Sequence, residues 1–218
     1  MPYKKRAKKS YRRKTKNKCA TLAKTISPTP FSNKLVTKMR YNENLVHGPA
    51  AVSHTYQFRL NSLYDPNLTG SGHQCMYYDQ LANIYNRYRV TGVKYRITFT
   101  NVNTPCRVGV VPTNNDIPSD MDDLTVMPYN RHSIINAMTS GGKSSATLSG
   151  YVSLKKLLGE SLADDRDQAI TNASPVNVVP LNIMTEALDK STTITTLNYI
   201  VELTYYATFF DLIPVVGS

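Results

Sequence analysis

Four places in this 218-residue chain carry side chains whose types and spacing could do chemistry. The densest is the stretch from Met1 to Lys18, where Lys4, Lys5, Arg6, Lys8, Lys9, Arg12, Arg13, Lys14, Lys16 and Lys18 crowd around Tyr3 and Tyr11. Cations packed this closely repel one another until phosphates neutralise them, and release of condensed counterions then drives binding. Arg and Tyr also stack on unpaired bases, which suits single strands better than duplex. The stretch has almost nothing aliphatic to bury, so it is expected to be disordered on its own. A solubilising tail or a nuclear import signal would use the same composition, and import is compatible with nucleic-acid contact. A mitochondrial transit peptide, a membrane-surface helix or a calmodulin target would need an apolar stripe that is missing here.

The other three places are weaker. Gly142-Lys143-Ser144 has the ending of a phosphate-binding loop, but Ala137 stands where the first glycine is required. The segment also lies between strand patterns, so Ser140–Ala146 is expected to be a flexible loop. His73 and Cys75 could be metal ligands, yet zinc sites use three or four protein ligands and no second pair is in sight. Asp116, Asp120, Asp122 and Asp123 gather four carboxylates within eight residues, at a spacing unlike that of an EF-hand. A solvated acidic loop is the plain reading, and a hard cation at a subunit contact is the other. His54 falls on the apolar side of its strand and is expected in the core. There is no Gly-x-Ser-x-Gly elbow and no His-x-His pair. The sequence therefore predicts no catalytic residue, no metal and no cofactor.

The elements that must position these groups follow from charge and periodicity. Residues 1–42 hold 14 Lys or Arg and no acid, whereas residues 43–218 hold 12 basic and 15 acidic side chains, a net −3. Pro28 and Pro30 mark the join, so residues 1–33 are expected to be a nucleic-acid-binding arm and linker, and 34–218 a single folded body. Cys19, Cys75 and Cys106 make an odd set without a CxxC pair, which argues against a disulfide-stapled secreted scaffold and for a reducing, intracellular setting. No apolar run approaches the ~18–20 residues of a membrane span.

The body alternates with period two. Val52, His54, Tyr56, Phe58 and Leu60 share one face of a strand over Val52–Asn61. Val93, Tyr95, Ile97 and Phe99 do so over Val93–Thr100, and Leu197, Tyr199, Val201, Leu203, Tyr205, Ala207 and Phe209 over the longest run. Weaker strands fit Leu35–Tyr41, Cys106–Val111, His132–Ala137, Ser145–Leu154 and Val178–Thr185, making eight in all. One helix is expected over Met76–Tyr88, from the stripe Tyr77, Leu81, Ile84, Tyr85 and Tyr88. Two connections of nearly twenty residues, Pro112–Tyr129 and Leu157–Val176, are long for a compact domain and suit contacts with neighbouring copies. Eight strands with such connections predict an all-β fold, a jelly roll of two packed antiparallel sheets with one short helix and the basic arm.

Residues 58–68 and 74–102 then acquire a further meaning. Leu63-Tyr64-Asp65-Pro66, Tyr78-Asp79-Gln80 and the stretch from Tyr88 to Lys94, behind a basic N-terminus, resemble the capsid proteins of small circular single-stranded DNA viruses, circovirus-like and related. The likeness covers the arm and roughly residues 55–102; beyond Asn103 it rests on strand count and length. It implies a subunit that self-assembles, as 60 copies, into a T=1 icosahedral shell around a circular single-stranded genome, with the arms inward. It further implies a virion location and a host-nucleus stage with import receptors as partners. Sixty copies with 14 cations each would carry 840 positive charges, matching on the order of a thousand phosphates. Satellite-type RNA virus coat proteins share this plan, so an RNA genome stays open. A cellular binder of ribosomal or chromatin type is the alternative from another class, but it would more often spread cations over its folded body.

Lys38 and Arg40 on the first strand and Lys94 and Arg96 on the third lie on polar faces, and in a jelly roll those strands share a sheet. A solvated strand face is the plainer reading; the functional one is a second cationic patch turned toward the genome. Fifteen Tyr, five Phe and no Trp suit half-buried subunit contacts, with plain strand propensity as the other explanation. Tyr64, Tyr129 and Tyr151 are the interface candidates.

Overall fold

Alternating side chains can bury one face of a strand only against a second layer, and the chain supplies two. The structure, a computed structural model, describes residues 30–46, 50–69, 71–100, 102–114, 116–162, 169–170 and 173–214. Its strands are β1 (Lys34–Val46), β2 (Ser53–Arg59), β3 (Tyr85–Thr100), β4 (Cys106–Pro112), β5 (Arg131–Ile135), β6 (Ala146–Ser153), β7 (Ala169–Ile170), β8 (Pro180–Ala187) and β9 (Asn198–Leu212). One sheet runs β1-β9-β3-β6, with the two-residue β7 paired to β3, and the other runs β2-β8-β4-β5. Every pairing is antiparallel. The chain crosses between the sheets after β1, β2, β3, β5 and β7, and again after β8, which is the order of an eight-stranded jelly roll with β7 added at an edge.

The core lies between the sheets. Val93, Tyr95, Ile97 and Phe99 of β3 and Tyr199, Val201, Leu203, Tyr205, Ala207 and Phe209 of β9 are buried there. They face Phe58, Val108, Val110, Leu181 and Ile183 of the opposite sheet. The turn after β2 is held by its own polar groups. Arg59 pairs with Asp65 at 2.5 Å, the Asp65 N–H donates to Ser62 Oγ at 3.0 Å, and Tyr205 Oη donates to the Arg59 carbonyl at 2.8 Å.

Three short helices stand where one was expected: α1 (Tyr78–Ala82), α2 (Met121–Val126) and α3 (Leu154–Leu158). α1 is the remnant of the helix expected over Met76–Tyr88. It stops at Asn83, and Tyr85 and Tyr88 enter β3, where their rings pack 6.1 and 6.0 Å from Phe209. The run from Tyr85 to Thr91 is rich in residues that fit a pleated, half-buried surface, and pairing with β9 decides its conformation. Tyr77, assigned to the stripe, is exposed at φ 66°.

α2 was hidden in the connection 112–129. Asp120 caps it by accepting from the Asp123 N–H at 2.8 Å. The helix places Met121 and Leu124 on Val111 and Met184, a small second core on the outside of the β2-β8-β4-β5 sheet. Gly109 makes this approach possible, since a Cβ there would come within 2.7 Å of Leu124 and 2.9 Å of Met121. With cover on both faces, all eight residues of β8 are buried. The outward polar ones are satisfied: Asn182 bonds Gln57 at 2.6 Å and Thr113 at 2.9 Å, and Glu186 pairs with Arg107.

Candidate nucleic-acid interface

The outer face of the β1-β9-β3-β6 sheet carries no such helix among the described residues, and its side chains differ in kind. Register places them in rows. Arg40 of β1 lies beside Thr204 of β9, which lies beside Lys94 of β3 and then Tyr151 of β6. One row along, Asn42, Glu202, Arg96 and Ser149 line up; in the other direction, Lys38 adjoins Tyr206. All four cations expected to form a patch therefore do share one face, and all four are exposed.

The face is larger than the sequence suggested. β3 carries a register shift between Val90 and Gly92, so that Thr91 is an extra residue in the ladder. A strict period of two would put Arg87 and Arg89 on the opposite side from Lys94 and Arg96. The bulge resets the phase. Arg87 then pairs with Phe210, and Arg89 with Thr208, on the same side of β9 as the partners of Lys94 and Arg96. Lys34, also opposite Phe210, extends the row on β1.

Aromatic rings sit among these charges. Lys38 Nζ lies 5.3 Å from the centroid of Tyr206, and Tyr206 meets Tyr151 edge to face at 5.7 Å. The Arg89 guanidinium lies 5.7 Å over Phe210 while donating to the Leu162 carbonyl at 2.6 Å. Against Lys34, Lys38, Arg40, Arg87, Arg89, Lys94 and Arg96 the rows set Glu202, which lies 3.6 Å from Arg96, and the end of β9 adds the exposed Asp211. Cations spaced about 7 Å along a strand and roughly 10 Å across two strands, interleaved with rings, can hold phosphates while bases stack. The ten basic candidates of the arm, Lys4 through Lys18, lie outside the described residues.

The remaining candidates fall elsewhere. Gly142-Lys143-Ser144 forms the β5–β6 turn, with the Asn136 N–H donating to the Lys143 carbonyl at 2.8 Å and Lys143 Nζ to Ser133 at 3.2 Å. His73 stacks on Tyr41 at 4.5 Å, and its ring nitrogens lie 2.7 and 2.9 Å from the Gln74 and Asn42 carbonyls. Those carbonyls favour the doubly protonated ring and raise its pKa. Cys75 is buried and its thiol pushed far up by desolvation, the reverse of what a metal ligand needs. His54 is half-buried, and desolvation lowers its pKa.

The acidic cluster is dispersed into internal contacts. Asp120 caps α2, Asp123 accepts from Ser119 Oγ at 2.5 Å, and Asp122 accepts from Arg107 at 2.7 Å and Lys190 at 2.6 Å. Asp116 uses its carbonyl to accept from Asn182 at 3.1 Å. No group of three metal-ligating side chains occurs among the described residues. Of the interface tyrosines, Tyr64 is half-buried, its ring 6.1 Å from Tyr78, while Tyr129 and Tyr151 are exposed and border one cavity. Among the described residues no helix is long and apolar enough to cross a membrane.

No protein-family model and no curated protein matches the chain. Solved structures do align with it. Desmodium yellow mottle tymovirus aligns over 89% of this chain and 98% of its own at 11% identity, with a TM-score of 0.44. A semi-empty virus-like particle of the Macrobrachium rosenbergii nodavirus aligns over 90% and 94% at 13% identity, with a TM-score of 0.45. The decameric BFDV capsid protein aligns over 81% and 98% at 10% identity, with a TM-score of 0.41. Likeness of this strength says nothing about what the chain binds or builds.

Proposed function

We propose that the chain is a viral capsid protein that self-assembles into a small icosahedral shell and packages single-stranded nucleic acid. In this reading the residue 1–33 arm and the outer face of the β1-β9-β3-β6 sheet are the two surfaces turned toward the genome. The observation that carries it is that face, where seven cations and three rings are ordered by register on a body, residues 34–218, whose 15 basic and 15 acidic side chains leave no net charge. A general cellular binder has no need of the long connections 112–129 and 157–176, and a shell subunit does. The role is structural, with no catalytic group. The resemblance in residues 55–102 favours circular single-stranded DNA, sixty copies and a nuclear stage with import receptors; an RNA genome would use the same surfaces.

Sedimentation of the full chain tests assembly. Sixty copies of 24.4 kDa make a particle of about 1.5 MDa. A single species of one or two copies, at high protein concentration and across a range of salt, would instead select the cellular binder.

A further inference from the structure

A cavity of about 280 Å³ opens at the edge of the sandwich where β5 and β6, the last strands of their sheets, come together. Tyr95, Tyr129, Tyr151, Arg131 and Lys156 line it, and the described lining contains no carboxylate. Its volume is at the low end of small-molecule sites, ~300–1,000 Å³, so it has room for about one ring system.

The walls are specifically built. Tyr95 points between the sheets but lies across Gly150 of the neighbouring strand, where a Cβ would come within 2.6 Å of its hydroxyl. That lets the phenol reach the open edge, where it lines the cavity together with Arg131. Tyr129 is held at φ 65° yet is 62% exposed. A bulky residue in left-handed backbone is strained and persists only where its surroundings impose it. The imposing group is Asn130, whose amide donates to the Thr125 and Met127 carbonyls at 2.9 and 2.7 Å. The cavity is continuous with the basic face through Tyr151, whose ring meets Tyr206.

Tyrosine rings beside two cations and no acid select a flat aromatic group that carries negative charge. We infer that this cavity takes one nucleotide of the bound single strand, its base stacked on Tyr129 or Tyr151 and its phosphate at Arg131 and Lys156. The inference rests on the reading of the chain as a single-strand binder and adds a discrete nucleotide subsite to it. The subsite is separate from the arm, so the strand would be pinned at a fixed point on each body.

The test is photocrosslinking of the full-length protein to an oligodeoxythymidine that carries 5-iodouracil, with the crosslinked residues mapped by mass spectrometry. Crosslinks at Tyr129 or Tyr151 are expected. They should be lost in Arg131→Gln/Lys156→Gln, while the protein still binds the strand through its arm. Tyr129→Asn, which tolerates the left-handed backbone, should weaken a short oligonucleotide by about fivefold or more at salt high enough to suppress the arm. Binding with crosslinks confined to Tyr3, Tyr11 or Tyr206 would overturn the subsite and leave the functional reading standing. Absence of any strand binding would remove both. Crosslinks in free subunits that vanish in assembled shells would show a neighbouring copy filling the cavity, and would equally overturn the inference.

Discussion

Replacing Lys38, Arg40, Lys94 and Arg96 together by Gln strips charge from the sheet face without entering the core, because all four side chains are exposed. The cost in stability is small. Lys38 loses its place over Tyr206, worth about 0.5–1 kcal/mol at an exposed site. Arg96 loses an exposed 3.6 Å pair with Glu202, worth about 0–1 kcal/mol. The effect on binding is larger. Each phosphate contact with a single strand contributes about 0.7 to the slope of log K against log salt. Glu202 already engages Arg96, so three to four lost contacts should reduce the slope by about 2–3. The ten cations of Met1–Lys18 and the face's own Lys34, Arg87 and Arg89 are untouched, which leaves a slope of about −9 where the parent shows about −11 to −12. Fluorescence anisotropy with a labelled oligonucleotide, titrated across a range of salt, measures this directly. A slope unchanged to within about 0.5, in a variant that folds and assembles normally, would refute a genome-facing role for the sheet.

Other perturbations probe the fold that presents this face. Gly109→Val should destabilise by about 1–3 kcal/mol, since its side chain must displace Leu124 and Met121; thermal melting reads the loss. Arg107→Met strands the buried Glu186 carboxylate and should cost about 3 kcal/mol, much of it recovered by a second change, Glu186→Met, in a denaturant titration. Hydrogen bonds from Lys190 and then Arg107 lower the pKa of Asp122 to about 2. The carboxylate's contribution is therefore complete above its ordinary value near 3.8 and lost as pH falls through about 2. Acid titration should show Asp122→Asn flattening stability in that window. Burial raises the thiol of Cys75 and pushes that of Cys106 up to about 12, so iodoacetamide at mildly alkaline pH should leave both unmodified until the protein unfolds.

Each of the eight expected strands falls on an observed one, and the signal was clearest where buried positions alternate, as in Val93 to Phe99 and Tyr199 to Phe209; β4 and β8, covered on both faces, read instead as short apolar runs. The same periodicity carried Lys38, Arg40, Lys94 and Arg96 to one face. It failed where phase changes. The bulge at Thr91 moves Arg87 and Arg89 to the basic side, and alternation alone cannot announce an inserted residue. Tyr85 and Tyr88 fit a helical stripe as well as a strand, and the contest was settled by β9, more than a hundred residues away. α2 left only a weak local signal, Asp120 as a cap, because two apolar residues suffice to seat a helix on Gly109. Tyr129 and Tyr151 were legible as exposed rings, but their meeting at one cavity depends on β5 and β6 closing the same edge.

The central claim is that the chain encloses nucleic acid in a shell of its own copies. Negative-stain electron microscopy of the purified full-length protein, with absorbance at 260 and 280 nm before and after nuclease, tests it most directly. Closed particles of uniform size that retain nuclease-resistant nucleic acid are the predicted result. A monodisperse monomer or dimer whose bound nucleic acid is fully digested would contradict it.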